Sequence, residues 1–145
     1  MDRRICIIII FILKYYYRCR ILFKRILYMT RQELIAYCLT YDDSYEDVPF
    51  DDVSKAGAWT VISYKSNKKP FALIYKRNGK LYINLKSDPF EAEFLRQAHK
   101  DITPGWNMDK RDWNTVMLGG DVPEEELKFM IKRSHDLIKP KKKRI

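Results

Sequence analysis

Apolar and polar positions change rhythm several times between Met29 and Ile138, and each change marks an element. Thr30-Arg31-Gln32-Glu33 has the spacing of a capping box, with Met29 and Leu34 placed as a hydrophobic staple. The pattern predicts a first helix from Arg31 to about Thr40, with Leu34, Ile35, Cys38 and Leu39 on one face. An acidic stretch follows: Asp42, Asp43, Glu46, Asp47, Asp51 and Asp52. Three apolar-rich runs then read as strands: Trp59–Lys65, Phe71–Arg77 and Lys80–Lys86. Asn78-Gly79 lies between the last two, and both residues tolerate the positive φ of a type I′ hairpin turn. Leu81, Ile83 and Leu85 alternate with Tyr82, Asn84 and Lys86, which predicts one buried and one wet face for that strand.

Asp88-Pro89-Phe90-Glu91 caps and opens a second helix, with Phe90, Phe94, Leu95 and Ala98 as its apolar face. Thr103-Pro104-Gly105 breaks it. Trp113–Leu118 reads as a fourth strand, ended by Gly119-Gly120. Asp121-Val122-Pro123-Glu124 caps a last helix running to about Ile138, with Leu127, Met130, Ile131, Ser134 and Ile138 inward. The order is helix, three antiparallel strands, helix, strand, helix. It predicts an α+β domain, an antiparallel sheet with helices packed on one face.

Charge divides the chain into three. Residues 1–28 carry seven basic and one acidic residue, residues 139–145 carry five basic and no acidic ones, and residues 29–138 hold 16 basic against 18 acidic. The formal net charge of +9 thus belongs to two tails around a near-neutral domain. In the first tail, Ile5–Leu13 is an apolar run of nine, too short for the roughly 20 residues of a membrane-spanning helix. A secretory signal or an amphipathic surface anchor fits part of this stretch. Its Ile, Tyr, Arg, Lys, Leu and Phe composition fits translated AT-rich sequence upstream of a gene better. The self-sufficient capping box at Thr30 agrees with a start at Met29. The expected organisation is an extension at 1–28, one domain at 29–138 and a basic tail at 139–145. Membrane attachment is not expected.

Of three cysteines only Cys38 lies in the domain, which fits a reducing, cytoplasmic setting and a small apolar core residue. The two histidines, His99 and His135, lack partners at metal-ligand or triad spacing, and no glycine-rich phosphate loop occurs. The chain therefore reads as a non-enzyme with no cofactor and no small-molecule substrate. Between Asp52 and Asp88 there is no acidic residue but eight basic ones: Lys55, Lys65, Lys68, Lys69, Lys76, Arg77, Lys80 and Lys86. Tyr64, Tyr75 and Tyr82 interleave with them, as base stacking in single strands would require. A meander sends Lys65, Lys68, Lys69 and Lys86 to one end of the sheet and Lys76, Arg77 and Lys80 to the other, roughly 20 Å away at about 3.4 Å per residue. The same lysines read equally as edge charges that discourage sheet-to-sheet pairing.

From Leu85 to Leu137 the chain resembles the MmcQ/YjbR family of small bacterial proteins. The resemblance rests on Lys86, Pro89, Leu95-Arg96, Ile102-Thr103-Pro104-Gly105-Trp106 and Met108-Asp109-Lys110. It continues through Trp113-Asn114-Thr115-Val116, Gly120, Val122-Pro123 and the helix from Leu127 to Ser134. It is weak in the first 40 residues of the domain, strong after Lys80, and absent from 1–28. It implies a CyaY/frataxin-like fold and DNA binding through a "double wing" of hairpins. The chain departs from the family at Asn107, Asp109 and Asp112, where His or Asn is common, and acids beside Lys110 and Arg111 weaken phosphate contact there.

The resulting candidate nucleic-acid residues are Lys65, Lys68, Lys69, Lys76, Arg77, Lys80, Tyr82, Lys86, Lys110 and Arg111, with DNA of low sequence specificity as the expected partner. The alternative is a non-enzymatic protein- or metal-interaction module. The acids from Asp42 to Asp52 would then act as a weak hard-oxygen metal site like the acidic ridge of frataxins. Trp106 and Trp113 would be exposed anchors, although both are expected in the core between sheet and helix.

Overall fold

The computed structural model describes residues 8–10, 12–14, 28–47 and 59–142. Six antiparallel strands form one sheet in the order β1-β2-β3-β4-β6-β5. They are β1 Ser44–Asp47, β2 Thr60–Tyr64, β3 Pro70–Arg77, β4 Lys80–Lys86, β5 Ile102–Pro104 and β6 Trp113–Met117. Three helices, α1 Arg31–Cys38, α2 Pro89–Ala98 and α3 Glu124–Ile138, pack against the sheet: α3 on β3 and β4, α2 on β5 and β6, α1 on β3. The expected α+β class, with helices on one face, is what the chain adopts. Of the 1–28 extension, residues 8–10 and 12–14 are helical and Tyr28 is described; its other residues and the end of the basic tail, residues 143–145, lie outside the described residues.

Local chemistry sets the boundaries. The Thr30 hydroxyl accepts from the Glu33 amide and the Glu33 carboxylate accepts from the Thr30 amide, so α1 starts where the capping box predicts. Asp88 accepts from the Phe90 amide at the head of α2. α3 differs. Its N-cap is Pro123, with no side-chain cap. Asp121 instead accepts the Lys100 and Asp101 amides, binding the segment after α2 to the turn between β6 and α3.

The core lies between helices and sheet. Leu34, Ile62, Phe71, Ile74, Ile83, Leu85, Val116 and Ile131 are each almost wholly buried, and burial of such a side chain contributes about 1.5–3 kcal/mol. Cys38 is buried among them, and burial pushes its thiol pKa up to about 12.

Two strands escape the hydrophobic pattern. β1 sits inside the acidic stretch. It is an edge strand whose Glu46 and Asp47 are exposed, which is how edges resist further pairing. β5 is the opposite edge, three residues long, and Pro104 is tolerated there because its missing N–H faces no neighbour strand. The alternation of β4 also misleads at one position. Asn84, expected on a wet face, is fully buried.

Candidate nucleic-acid interface

The β3–β4 hairpin turns at Asn78 (φ +50°) and Gly79 (φ +73°), the left-handed pair that a type I′ turn requires. Its register pairs Tyr75 with Tyr82 and Arg77 with Lys80. Ile74 and Ile83 face the helices, so Tyr75, Arg77, Lys80 and Tyr82 face the other way. No helix among the described residues packs on this face, the helix-free face, and four rings gather there. Tyr75, wholly buried, is the hub. Trp59 stacks on it at 4.2 Å, Trp106 lies at 5.1 Å and Tyr82 at 5.6 Å between ring centroids. Trp59, Trp106 and Tyr82 keep part of their surface open. The Arg77 guanidinium lies over two of the rings, 4.7 Å from Trp106 and 5.2 Å from Tyr82. Its Nε is buried and has no hydrogen-bond partner among the described residues.

Trp106 is brought here by the loop between β5 and β6, and a buried polar network fixes it. Its amide donates to Thr115 Oγ1 (2.8 Å) and its carbonyl accepts from Asn84 Nδ2 (2.9 Å). Asn84 Oδ1 accepts from Thr115 Oγ1 (2.7 Å) and from the Tyr75 hydroxyl (3.3 Å). Burial raises the pKa of that phenol, so it remains a neutral donor. Gly105 allows the close approach: a Cβ there would meet the Trp113 Cβ at 2.7 Å. Lys110 Nζ donates to the Gly105 carbonyl (2.5 Å), and Arg96 donates to the Lys110 and Trp113 carbonyls and to Asn114 Oδ1. The loop is a rigid mount for one indole.

The ten sequence-predicted residues fall into three groups. Arg77, Lys80 and Tyr82 share the hairpin end of the helix-free face, whereas Lys76, paired with Leu81, is exposed on the opposite face of the same hairpin. Lys65, Lys68 and Lys69 are exposed in the β2–β3 loop, and Lys68 lies 4.8 Å from the Tyr45 ring. The register puts this loop at the far end of β3, roughly 24 Å away for the seven steps from Pro70 to Arg77 at about 3.4 Å per residue. Lys86 and Lys110 are occupied: Lys86 pairs with Asp112 (3.0 Å) over the Trp113 ring, and Lys110 bonds the Gly105 turn. Arg111 is exposed beside that turn, its amide held by Asp109.

Several expectations are corrected. Tyr64 is buried on the helix side, stacked on His135, and Tyr75 is buried in the hub, so neither presents a ring to a ligand. Trp106 and Trp113 lie on the face away from the helices rather than between sheet and helix, because Trp113 pairs with Lys86 and Trp106 bonds Thr115. Trp59 and Trp106 were missed as stacking candidates. Trp59 was legible, since it extends the alternation of β2; Trp106 was not, because a loop delivers it.

Elsewhere, α2 and α3 flank an apolar groove of about 420 Å³ rimmed by Phe90, Phe94, Phe129 and the Glu91–Arg133 ion pair. No catalytic set converges there. His99 Nε2 contacts Glu126 Oε2 (2.8 Å), and His135 Nε2 donates to the Asp42 carbonyl inside an aromatic shell. Among the described residues no cluster of His, Cys, Asp and Glu has the geometry of a metal site. Asp43 instead holds the Ser66 amide, and Asp51 and Asp52 lie outside the described residues. No helix among the described residues is long and apolar enough to cross a membrane.

The family model YjbR matches residues 39–137. The chain belongs to the YjbR family. The uncharacterized protein YjbR of Escherichia coli K12 is 29% identical over 107 residues, covering 74% of this chain and 85% of that protein. The uncharacterized protein YyaQ of Bacillus subtilis 168 is 28% identical over 121 residues, covering 77% and 99%. A Pseudomonas syringae crystal structure matches with TM-score 0.66 and 28% identity over 77% of this chain and all of that one. Deinococcus radiodurans protein DR2400, a DUF419 domain, matches with TM-score 0.65 and 36% identity over 75% and 78%. The YjbR residues quoted above now have physical roles: Arg96, Gly105, Lys110, Asn114 and Thr115 build the mount for Trp106. The departures do too. Asp112 neutralises Lys86, Asp109 ties the turn, and Asn107 takes φ +58°.

Proposed function

We propose that this YjbR-family domain is a non-enzymatic, cytoplasmic DNA-binding protein of low sequence specificity. It would engage DNA through the β3–β4 hairpin end of its helix-free face, with the β2–β3 loop as the second wing. The observation that carries this reading is the coincidence at one place of two hairpin cations, Arg77 and Lys80, with the half-open rings of Tyr82 and Trp106, while Lys76 adds an exposed charge from the other face of the same hairpin. Cations on phosphate give affinity without reading sequence.

Fluorescence anisotropy of labelled DNA with the full chain, across a salt series, tests it. The triple change Lys76→Ala, Arg77→Ala, Lys80→Ala should weaken binding and flatten the salt slope by about one unit for each cation that contacts phosphate. An unchanged slope, with binding abolished only by neutralising Lys141, Lys142, Lys143 and Arg144, would assign all affinity to the tail and remove the domain from the reading. The protein-module alternative draws on the α2–α3 groove, where Phe90 is 89% exposed.

A further inference from the structure

We infer that the helix-free face takes single-stranded nucleic acid, with an unpaired base stacked on the Tyr82–Trp106 end of the ring cluster and its phosphate held by Arg77. This rests on the nucleic-acid reading above and narrows it.

Three observations carry the narrowing. The first is the unmet donor of Arg77. A buried N–H without an acceptor is costly to the folded protein, and the stacking of the guanidinium over two rings only partly offsets that cost. A phosphate oxygen is the acceptor that a planar guanidinium fork fits best. The Arg77 side chain thus gains by shifting from the rings to a ligand, and the shift uncovers the ring surfaces it lay on. The second is the mount. Both backbone groups of Trp106 are bonded to buried side chains, so the indole is positioned before any ligand arrives and little ordering remains at binding. The third is shape. The half-open rings stand on a sheet face that no helix among the described residues covers, beside a two-residue turn. A duplex offers this surface only phosphates, because its base faces are already stacked within the helix. An unpaired strand offers a base face and a phosphate together, and aromatic platforms take any base because every base has a π-face.

The test titrates the full chain with oligothymidylate and with a blunt hairpin duplex of equal nucleotide number at one salt concentration. Anisotropy reports binding and tryptophan emission reports stacking. The inference predicts that the single strand binds about tenfold more tightly than the duplex and quenches emission. Tyr82→Leu, which keeps an apolar side chain in the hairpin, should cost about tenfold for the single strand and leave duplex binding unchanged. Arg77→Lys, which keeps the charge and loses the fork, should reproduce most of the Tyr82→Leu loss. Equal affinities for the two ligands, with no quenching and no effect of Tyr82→Leu, would overturn the single-strand inference while leaving the DNA-binding reading in place. Binding unaffected by the triple hairpin change would overturn both.

Discussion

Two aromatic clusters lie on opposite faces of the same sheet, each built around a nitrogen-bearing side chain. On the helix side His135, only 3% exposed, is ringed by Tyr41, Tyr64 and Phe71 at centroid distances of 4.7–5.0 Å. Its Nε2 donates to the Asp42 carbonyl, and the adjacent Ser134 hydroxyl donates to the Phe71 carbonyl while accepting the Lys86 amide. Every polar group named there has a partner. On the other side Arg77 lies over Trp106 and Tyr82 with its Nε unmatched, and three of the four rings keep open surface. Aromatic content is therefore no guide to role. A satisfied, closed cluster is core, whereas an open cluster with an unmet donor beside exposed cations has the character of a binding surface.

Large-to-small changes separate the two clusters most forcefully. Phe71→Ala should cost about 3–5 kcal/mol in urea unfolding, because it empties the closed cluster; a loss under 1 kcal/mol would mean that cluster is not core. Asn84→Ala comes next. It strands the Thr115 and Tyr75 hydroxyls and the Trp106 carbonyl. A loss of about 2–3 kcal/mol should appear together with weaker DNA binding, since the Trp106 mount loosens. Arg77→Leu sharpens the contrast, because stability and binding should part company. Unfolding free energy should stay within about 1 kcal/mol of the parent, as the orphaned donor and the ring contact disappear together, while DNA affinity falls about tenfold. Lys86→Ala should change DNA affinity less than twofold in the same titration, because Asp112 already neutralises that side chain.

The smallest effect concerns pH. Burial raises the pKa values of Tyr75 and of Cys38, the latter from an ordinary 9.0 to about 12. Tyr41 is raised as well, by burial and then by its bond to Tyr37. The folded state holds these protons more tightly than the unfolded chain. Their contribution is fully present below about pH 9 and is lost as pH rises from there toward 12. Tm should thus decline on the alkaline side, and Cys38 should resist alkylation at pH 8 until the chain is denatured, as mapped by peptide mass spectrometry.

Most of the scaffold was legible because its signals are local. The Thr30 and Asp88 caps, the Asn78-Gly79 turn and the stripe of α3 each need only a few neighbouring residues. β1 and β5 were illegible because edge strands are held by backbone pairing and carry little apolar pattern. The site was half legible. Arg77, Lys80 and Tyr82 could be placed together from the hairpin register alone. Trp106 could not, since its position depends on Asn84 and Thr115, which lie 22 and 9 residues away and look like ordinary polar strand residues. Lys86 and Lys110 looked like ligand contacts because charge is visible in a sequence and its neutralisation by Asp112 or by a turn carbonyl is not.

That DNA sits on the open cluster, with the β2–β3 loop secondary to it and the tail dispensable, is tested most directly by amide and indole NMR spectra of the full chain titrated with oligothymidylate. The account predicts that the indole signals of Trp59 and Trp106 and the amides of Arg77 and Tyr82 shift together and saturably, while the Trp113 indole and the His135 cluster stay still. Shifts confined to residues 65–69 or to 139–145, with both platform indoles unmoved, would contradict it.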